Sequence, residues 1–214
     1  MLTRLIPLVL AALMLAFFSG IGGCDKKAAE IQAADEQYDN CLDADDGAGA
    51  VRYVSKDSLA RLDRLIAIAR TAKKADVKAL PLPDMQEVLQ MRVLLGSELL
   101  KPIDGRTYYI KLVSKGWVNS TSLLERVKIK VDSVGTSATV TYRDPDDKET
   151  TYGHWIFEDG SWKEDQIADL QNPQMDLKAA AKEARMTEEE LLLTGLGART
   201  GETVLPTVWD PPKK

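Results

Sequence analysis

Val127-Lys128-Ile129-Lys130-Val131-Asp132 alternates apolar and charged residues with a period of two, the mark of a strand with one face buried and one in water. Upstream of it the apolar residues recur at three and four, so the chain changes character at this point. Downstream, Val134-Gly135-Thr136 turns the chain into a second strand over 138–143. Asp144-Pro145-Asp146-Asp147 turns it again, proline suiting the second place of a type I turn. A third strand over 150–158 reaches Asp159-Gly160, a strong hairpin signal, which leads into a last strand over about 161–167. Four strands in succession, joined by short turns, form an antiparallel meander.

Working back toward the amino terminus, four helices precede the meander. Ile31, Ala34, Tyr38 and Leu42 stripe an alanine-rich acidic helix over 28–42, which the Asp and Gly cluster of 43–49 ends in a loop. Ser55 can cap a second helix with Leu59, Leu62, Leu65, Ile66 and Ala69 on one side. Pro81 and Pro83 mark a connection, and a third helix starts near Asp84, its apolar side formed by Met85, Val88, Leu89, Leu95 and Leu99. After the break at 102–105, Tyr108, Tyr109, Leu112 and Val113 show helical spacing, closed by Gly116 at a left-handed cap. A bare meander would leave its apolar face wet. The expected class is therefore α+β, with several N-terminal helices packed on a curved four-stranded antiparallel meander.

Working forward, 175–185 is a short alanine-rich helix and Thr187-x-x-Glu190 is a capping box for another, so 169–198 reads as a C-terminal helical hairpin. Its spacing also fits a DNA-binding helix-turn-helix, but its second helix has no basic face. Residues 199–214, with Pro206, Trp209, Pro211 and Pro212, read as an extended, flexible tail, disordered or laid along a surface. The expected units are thus 1–23, 24–29, 30–168, 169–198 and 199–214.

The first unit decides location. Met1 to Arg4 carries one positive charge, residues 5–18 are apolar and uncharged, and small residues lead at once to Cys24. That layout is an export signal, too short for the roughly 20 apolar residues of a spanning helix. Ile21-Gly22-Gly23-Cys24 resembles the lipobox of bacterial lipoproteins. The resemblance implies cleavage between Gly23 and Cys24, a diacylglycerol on the Cys24 sulfur, and a third acyl chain on the new amino terminus. Two or three chains make attachment effectively permanent where one is reversible. Asp25 resembles the signal that retains such proteins in the inner membrane of enteric bacteria. The domain would face the periplasm or the exterior, with the unit 24–29 as a lipidated tether.

Composition agrees with a folded domain and excludes several partners. Hydrophobic residues at 44% against 29% charged suffice for one core in 214 residues. Residues 1–23 contain one of the 28 basic residues and none of the 33 acidic ones, so cleavage moves the net charge from −5 to −6. With the lysine pairs short and dispersed, nucleic acid is not an expected partner. Of the two cysteines, acylated Cys24 leaves Cys41 without a disulfide partner, and Cys41 reads as a small, partly buried apolar residue.

The closing hairpin Trp155-Ile156-Phe157-Glu158-Asp159-Gly160-Ser161-Trp162-Lys163, behind helices and a meander, resembles the nuclear-transport-factor-2-like superfamily, a cystatin-like cone, over about residues 30–168. Enzymes of that superfamily, ketosteroid isomerases and dehydratases, place an Asp or His base and Tyr or Asp donors inside the cone. His154, Asp165, Tyr108 and Tyr109 are the residues here of suitable type. Strand alternation puts His154 with Ile156 on one face and Trp155 with Phe157 on the other, and the larger apolar pair is expected to face the core. No catalytic residues are therefore assigned. An apolar pocket lined by Tyr108, Trp117, Trp155 and His154 is the candidate binding site.

A single histidine excludes zinc sites built on several His or Cys ligands, and no cofactor is expected. Aligning Gly47 with the central glycine of a calcium loop puts Leu42 and Ala44 at ligand places and Tyr53 where Glu is required, so Asp43, Asp45 and Asp46 form no such site. The expectation is a non-enzymatic binding or scaffolding lipoprotein of the envelope, with a membrane and an envelope protein as partners and Trp209 or the hairpin as contact. The alternative is a small-molecule carrier, or an isomerase or dehydratase, using the cone.

Overall fold

The computed structural model describes residues 22–146, 148, 150–169, 177–201 and 203–213. The expected export signal up to Ile21 and the Asn172-Pro173 connection lie outside them, as do the side chains of residues 22–25, Cys24 and Asp25 included. The helices are α1 (Gly22–Asp43), α2 (Gly47–Ala50), α3 (Lys56–Thr71), α4 (Lys74–Lys78), α5 (Leu82–Leu95) and α6 (Gly105–Val113). The strands β1 (Glu125–Val131), β2 (Ser137–Arg143), β3 (Thr150–Glu158) and β4 (Ser161–Glu164) follow, then α7 (Gln166–Asp169), α8 (Leu177–Ala184) and α9 (Glu188–Thr200). The chain is α+β, and the sheet order β1-β2-β3-β4 is the antiparallel meander that the alternation predicts.

The expected helices are α1, α3, α5 and α6, and their caps explain where they begin. The Ser55 hydroxyl accepts the Ser58 N–H at 3.1 Å, and Asp104 accepts the Thr107 N–H at 2.7 Å. Gly116 takes φ +65° just past α6, the left-handed place that glycine fills without strain. Asp84, expected as a cap, sits inside the first turn of α5. Its Oδ1 instead accepts Arg61 Nε at 2.9 Å, tying α5 to α3. Leu99 belongs not to α5 but to a 3-10 turn (Gly96–Leu100), because Gly96 breaks the helix at φ +48°. The loop expected over 43–49 contains α2, where a Cβ on Gly47 would meet the Ile110 carbonyl oxygen at 2.3 Å, so only glycine permits this approach to α6.

The inner face of the sheet carries Ala138, Val140, Tyr142, Trp155 and Trp162, all buried, and α1 lies across it. Ile31, Tyr38 and Leu42 of α1 are buried as their spacing predicts, and the Tyr38 ring meets Trp155 edge-on at 6.2 Å. Two expectations about the strands need correction. A bulge between Arg126 and Lys128 shifts β1 by one residue, and Val127, expected inside, is 40% exposed. The last strand stops at Glu164 rather than near 167, because Asp165 Oδ1 accepts the Ile167 N–H at 3.1 Å and turns the chain into α7.

The capping box of Thr187 and Glu190 opens α9 as expected, and Gly201 closes it at φ +69°. The tail departs from expectation. Pro206–Trp209 forms a 3-10 turn that seats Trp209 in the core at 1% exposure. Arg92 of α5 holds it there: Nε donates to Ala69 O at 2.9 Å and Nη1 to Val208 O at 3.2 Å, with further bonds to the Ala72 and Trp209 carbonyls. Lys74 and Lys78 stand over the Trp209 ring at 5.5 and 5.7 Å. A flexible tail is thus replaced by a packed one.

Candidate functional site

The four residues expected to line one pocket do different things. Tyr108, Trp155 and Trp117 are buried core side chains. Tyr108 points to α5, donating to Glu87 and accepting from Gln90 Nε2 at 3.4 Å, whereas Trp155 packs on Tyr38. His154 is half-buried on β3, and its carbonyl accepts the Asp165 N–H at 2.7 Å. Aromatic rings fill the space in which a shared pocket was expected, and the cavities found among the described residues are lined by others. Phe157, expected to face the core with Trp155, lies at the end of the sheet, 43% exposed, its ring against Trp162 at 5.4 Å. Trp209, expected as a contact for a partner protein, is inaccessible.

Between α1 and the sheet runs a polar seam that sequence reasoning missed. Asp35 and Asp39 lie on the same buried stripe as Ile31, Tyr38 and Leu42. Asp35 Oδ2 accepts Arg126 Nε at 2.8 Å, and its Oδ1 accepts the Tyr142 hydroxyl. Asp39 accepts both the N–H and the hydroxyl of Thr121, at 2.9 and 2.8 Å. Burial pushes the Asp35 carboxyl up, against the pull of Tyr142 and Arg126. The available signal was spacing: acids at i and i+4 on an apolar stripe must find partners, and an outward-only reading of a helix so rich in acid hides them.

Glu164 on β4 belongs to the same seam. The residue is half-buried overall, but burial of its carboxyl raises it to about 7, with Tyr38 and Gln166 bonds pulling the other way. Gln166 Nε2 donates to Glu164 Oε2 at 3.1 Å and reaches the Tyr109 hydroxyl at 3.4 Å, and Tyr109 in turn bonds Tyr38. A carboxyl titrating near neutrality beside two tyrosines has the proton affinity of a general base. Its neighbours close around it, however, and no cavity among the described ones brings a reactant to it.

Among the described residues a half-open apolar space lies elsewhere, between α5 and the α8–α9 hairpin. It measures about 260 Å³ and is lined chiefly by Leu89, Gln90, Leu177, Leu192, Leu196 and Arg199. That is below the roughly 300–1,000 Å³ of sites for drug-sized ligands. Arg199 is partly committed, its Nη2 donating to the Trp117 carbonyl at 2.8 Å. Among the described residues no cluster of His, Cys, Asp or Glu could hold a metal ion, and no helix is long and apolar enough to cross a membrane. Cys41 is the described free cysteine, half-buried, its thiol pushed up by burial and by Asp46.

The candidate attachment point lies at the start of α1. That helix is already formed at Gly22, so the stretch 24–29 assigned to a tether continues directly into the folded body. Lys27 Nζ donates to Gly135 O at 2.9 Å, and Ile31 is wholly buried. No protein-family model matches the chain, and neither a curated protein nor a solved structure matches it.

Proposed function

We propose that the chain is an exported bacterial lipoprotein, cleaved between Gly23 and Cys24, tethered by acyl chains on Cys24, whose domain has a non-enzymatic binding or scaffolding role in the cell envelope. The observation that carries this is the uncharged apolar run of 5–18 ending in Ile21-Gly22-Gly23-Cys24. Asp25 favours the inner membrane, with the domain facing the periplasm. A non-catalytic role is supported by the dispersal of Tyr108, Trp117, Trp155 and His154, which line none of the cavities found among the described residues. Scaffolding is supported by α1, which joins the tether to the core without a flexible spacer, a geometry suited to holding a body at fixed height over a membrane. With Trp209 inside, the contact for an envelope protein passes to the exposed side of the α8–α9 hairpin.

Intact-mass measurement of the detergent-extracted protein tests the tether. The expected mass is that of residues 24–214 plus two or three acyl chains, and Cys24→Ser should leave the membrane fraction after a high-salt wash. An unmodified mass, or a Cys24→Ser variant still on membranes, would overturn it.

A second reading, a small-molecule carrier, has one observation in its favour: the 260 Å³ cavity under α9. It differs from the cone-based version in predicting that ligand retention responds to Leu192→Trp, which fills the cavity, and is indifferent to His154→Ala.

A further inference from the structure

We infer that the end of the sheet formed by the β1–β2 and β3–β4 turns rests on the lipid bilayer, with Val134 and Phe157 entering its headgroup region. The inference rests on the lipid tether proposed above and adds to it a fixed orientation of the domain.

The geometry starts at the tether. Cys24 precedes Lys27 by three helical residues, a rise of about 4.5 Å. The Lys27 ammonium is bonded to Gly135 O, in the turn between β1 and β2. That contact is close: Gly135 is buried at φ +76°, and a Cβ there would lie 1.9 Å from Lys27 Nζ. Asp132 fixes the turn from the other side, its Oδ1 accepting the N–H groups of Gly135, Thr136 and Ser137 at 2.5, 2.8 and 3.2 Å. Acyl chains on Cys24 therefore bring this turn, and with it this end of the sheet, to the membrane.

What the turn presents fits that position. Val134 is 74% exposed at its tip. The Phe157 N–H donates to Thr136 O at 2.8 Å, which brings the half-exposed Phe157 ring to the same end. Aromatic and aliphatic side chains flanked by lysine are the composition of surfaces that sit at the lipid–water boundary. Lys26 is 79% exposed and Lys130 is exposed, both free to meet anionic headgroups apart from a loose 3.9 Å pair between Lys26 and Glu30. Among the described carboxylates of this end, Asp159 is paired with Lys56 at 2.5 Å, while Asp132 accepts the N–H groups of the turn and Glu158 the Lys56 N–H at 2.9 Å.

Leu123, 88% exposed before β1, lies at the opposite end of that strand. Seven residues of β1 put roughly 20 Å between the two ends. This makes a matched internal control.

The test uses the full chain, acylated in its host and reconstituted into phosphatidylcholine–phosphatidylglycerol vesicles, in a Cys41→Ala background. An environment-sensitive fluorophore is placed on Val134→Cys, Phe157→Cys or Leu123→Cys, none of them a core position. Expected are blue-shifted emission and loss of most fluorescence to brominated lipid at 134 and 157, with Leu123→Cys quenched by aqueous iodide instead. If the acylated, vesicle-bound protein shows iodide quenching at 134 and 157 equal to that at 123, the orientation is overturned while the tether stands. If the mass shows no acyl group, tether and orientation fall together.

Discussion

The two sides of the helical layer are fastened by opposite kinds of polar contact. Toward the sheet, α1 brings Asp35 and Asp39 inward to Arg126 and Thr121, and β4 adds Glu164, which Tyr38 and Gln166 bond. Toward the C-terminal tail, α5 brings a guanidinium inward, and Arg92 spends its donors on four backbone carbonyls. Carbonyls do not titrate and an arginine scarcely does, so the Arg92 contacts hold at any ordinary pH. Carboxylates do, so the sheet side answers to protons. The Arg92 contacts are thus the more permanent fastening against a change of pH.

The largest effect should come from breaking that permanent side. Trp209→Ala removes a 1% exposed indole from between Lys74, Lys78 and Arg92. A loss of about 3–5 kcal/mol is expected, read by urea unfolding of the cleaved domain. A change under about 0.5 kcal/mol, the range for surface positions, would return residues 199–214 to the status of an appendage. Deleting the tail is then a fold-breaking change, so it cannot serve to map a partner site.

Next in size is the sheet side. Asp35→Ala leaves Arg126 and the Tyr142 hydroxyl facing a partly buried gap, and a loss of about 3 kcal/mol is expected. Asp35→Ala combined with Arg126→Met should recover part of it, since removing both charges is cheaper than orphaning one. Double-mutant stability equal to the sum of the single losses would show that the pair contributes nothing as a pair.

How much of this the sequence disclosed depends on the period of each segment. The meander was legible because Val127 to Val131 alternates and Asp159-Gly160 names its own turn, and even there the bulge at Val127 was invisible, since one extra residue leaves the pattern nearly intact. The helices were legible from Leu62, Leu65, Val88 and Leu89. Asp35 and Asp39 were not, because a periodicity of apolar residues counts a buried carboxylate as surface. Trp209 was hidden by Pro206, Pro211 and Pro212, whose composition suggests an extended tail, whereas Pro206 opens the 3-10 turn that buries the indole. The expected pocket failed for a related reason: residue type puts Tyr108, Trp117 and Trp155 near a core but does not say whether that core is hollow.

The smallest effect is also the one with a direction in pH. Glu164 holds its proton to about 7, above an ordinary glutamate, because its carboxyl is buried. In the pH range between the two values the unfolded chain releases that proton while the folded chain keeps it. The contribution of Glu164 to stability must therefore fall as pH rises through this window and stay level beyond its ends. Glu164→Gln is a neutral side chain at every pH, so the variant should match the wild type near pH 4 and exceed it at pH 8. The shift alone would set a ceiling of about 3 kcal/mol, and water at the half-buried residue reduces the expected gain to about 1–2 kcal/mol. Asp35 and Asp39 also bear on this carboxyl, but both are present in either protein, so the difference between the two urea curves isolates position 164. A gain that is the same at both pH values would mean that Glu164 is ionised throughout, and the contrast between a titrating sheet side and a fixed tail side would lose its sharpest member.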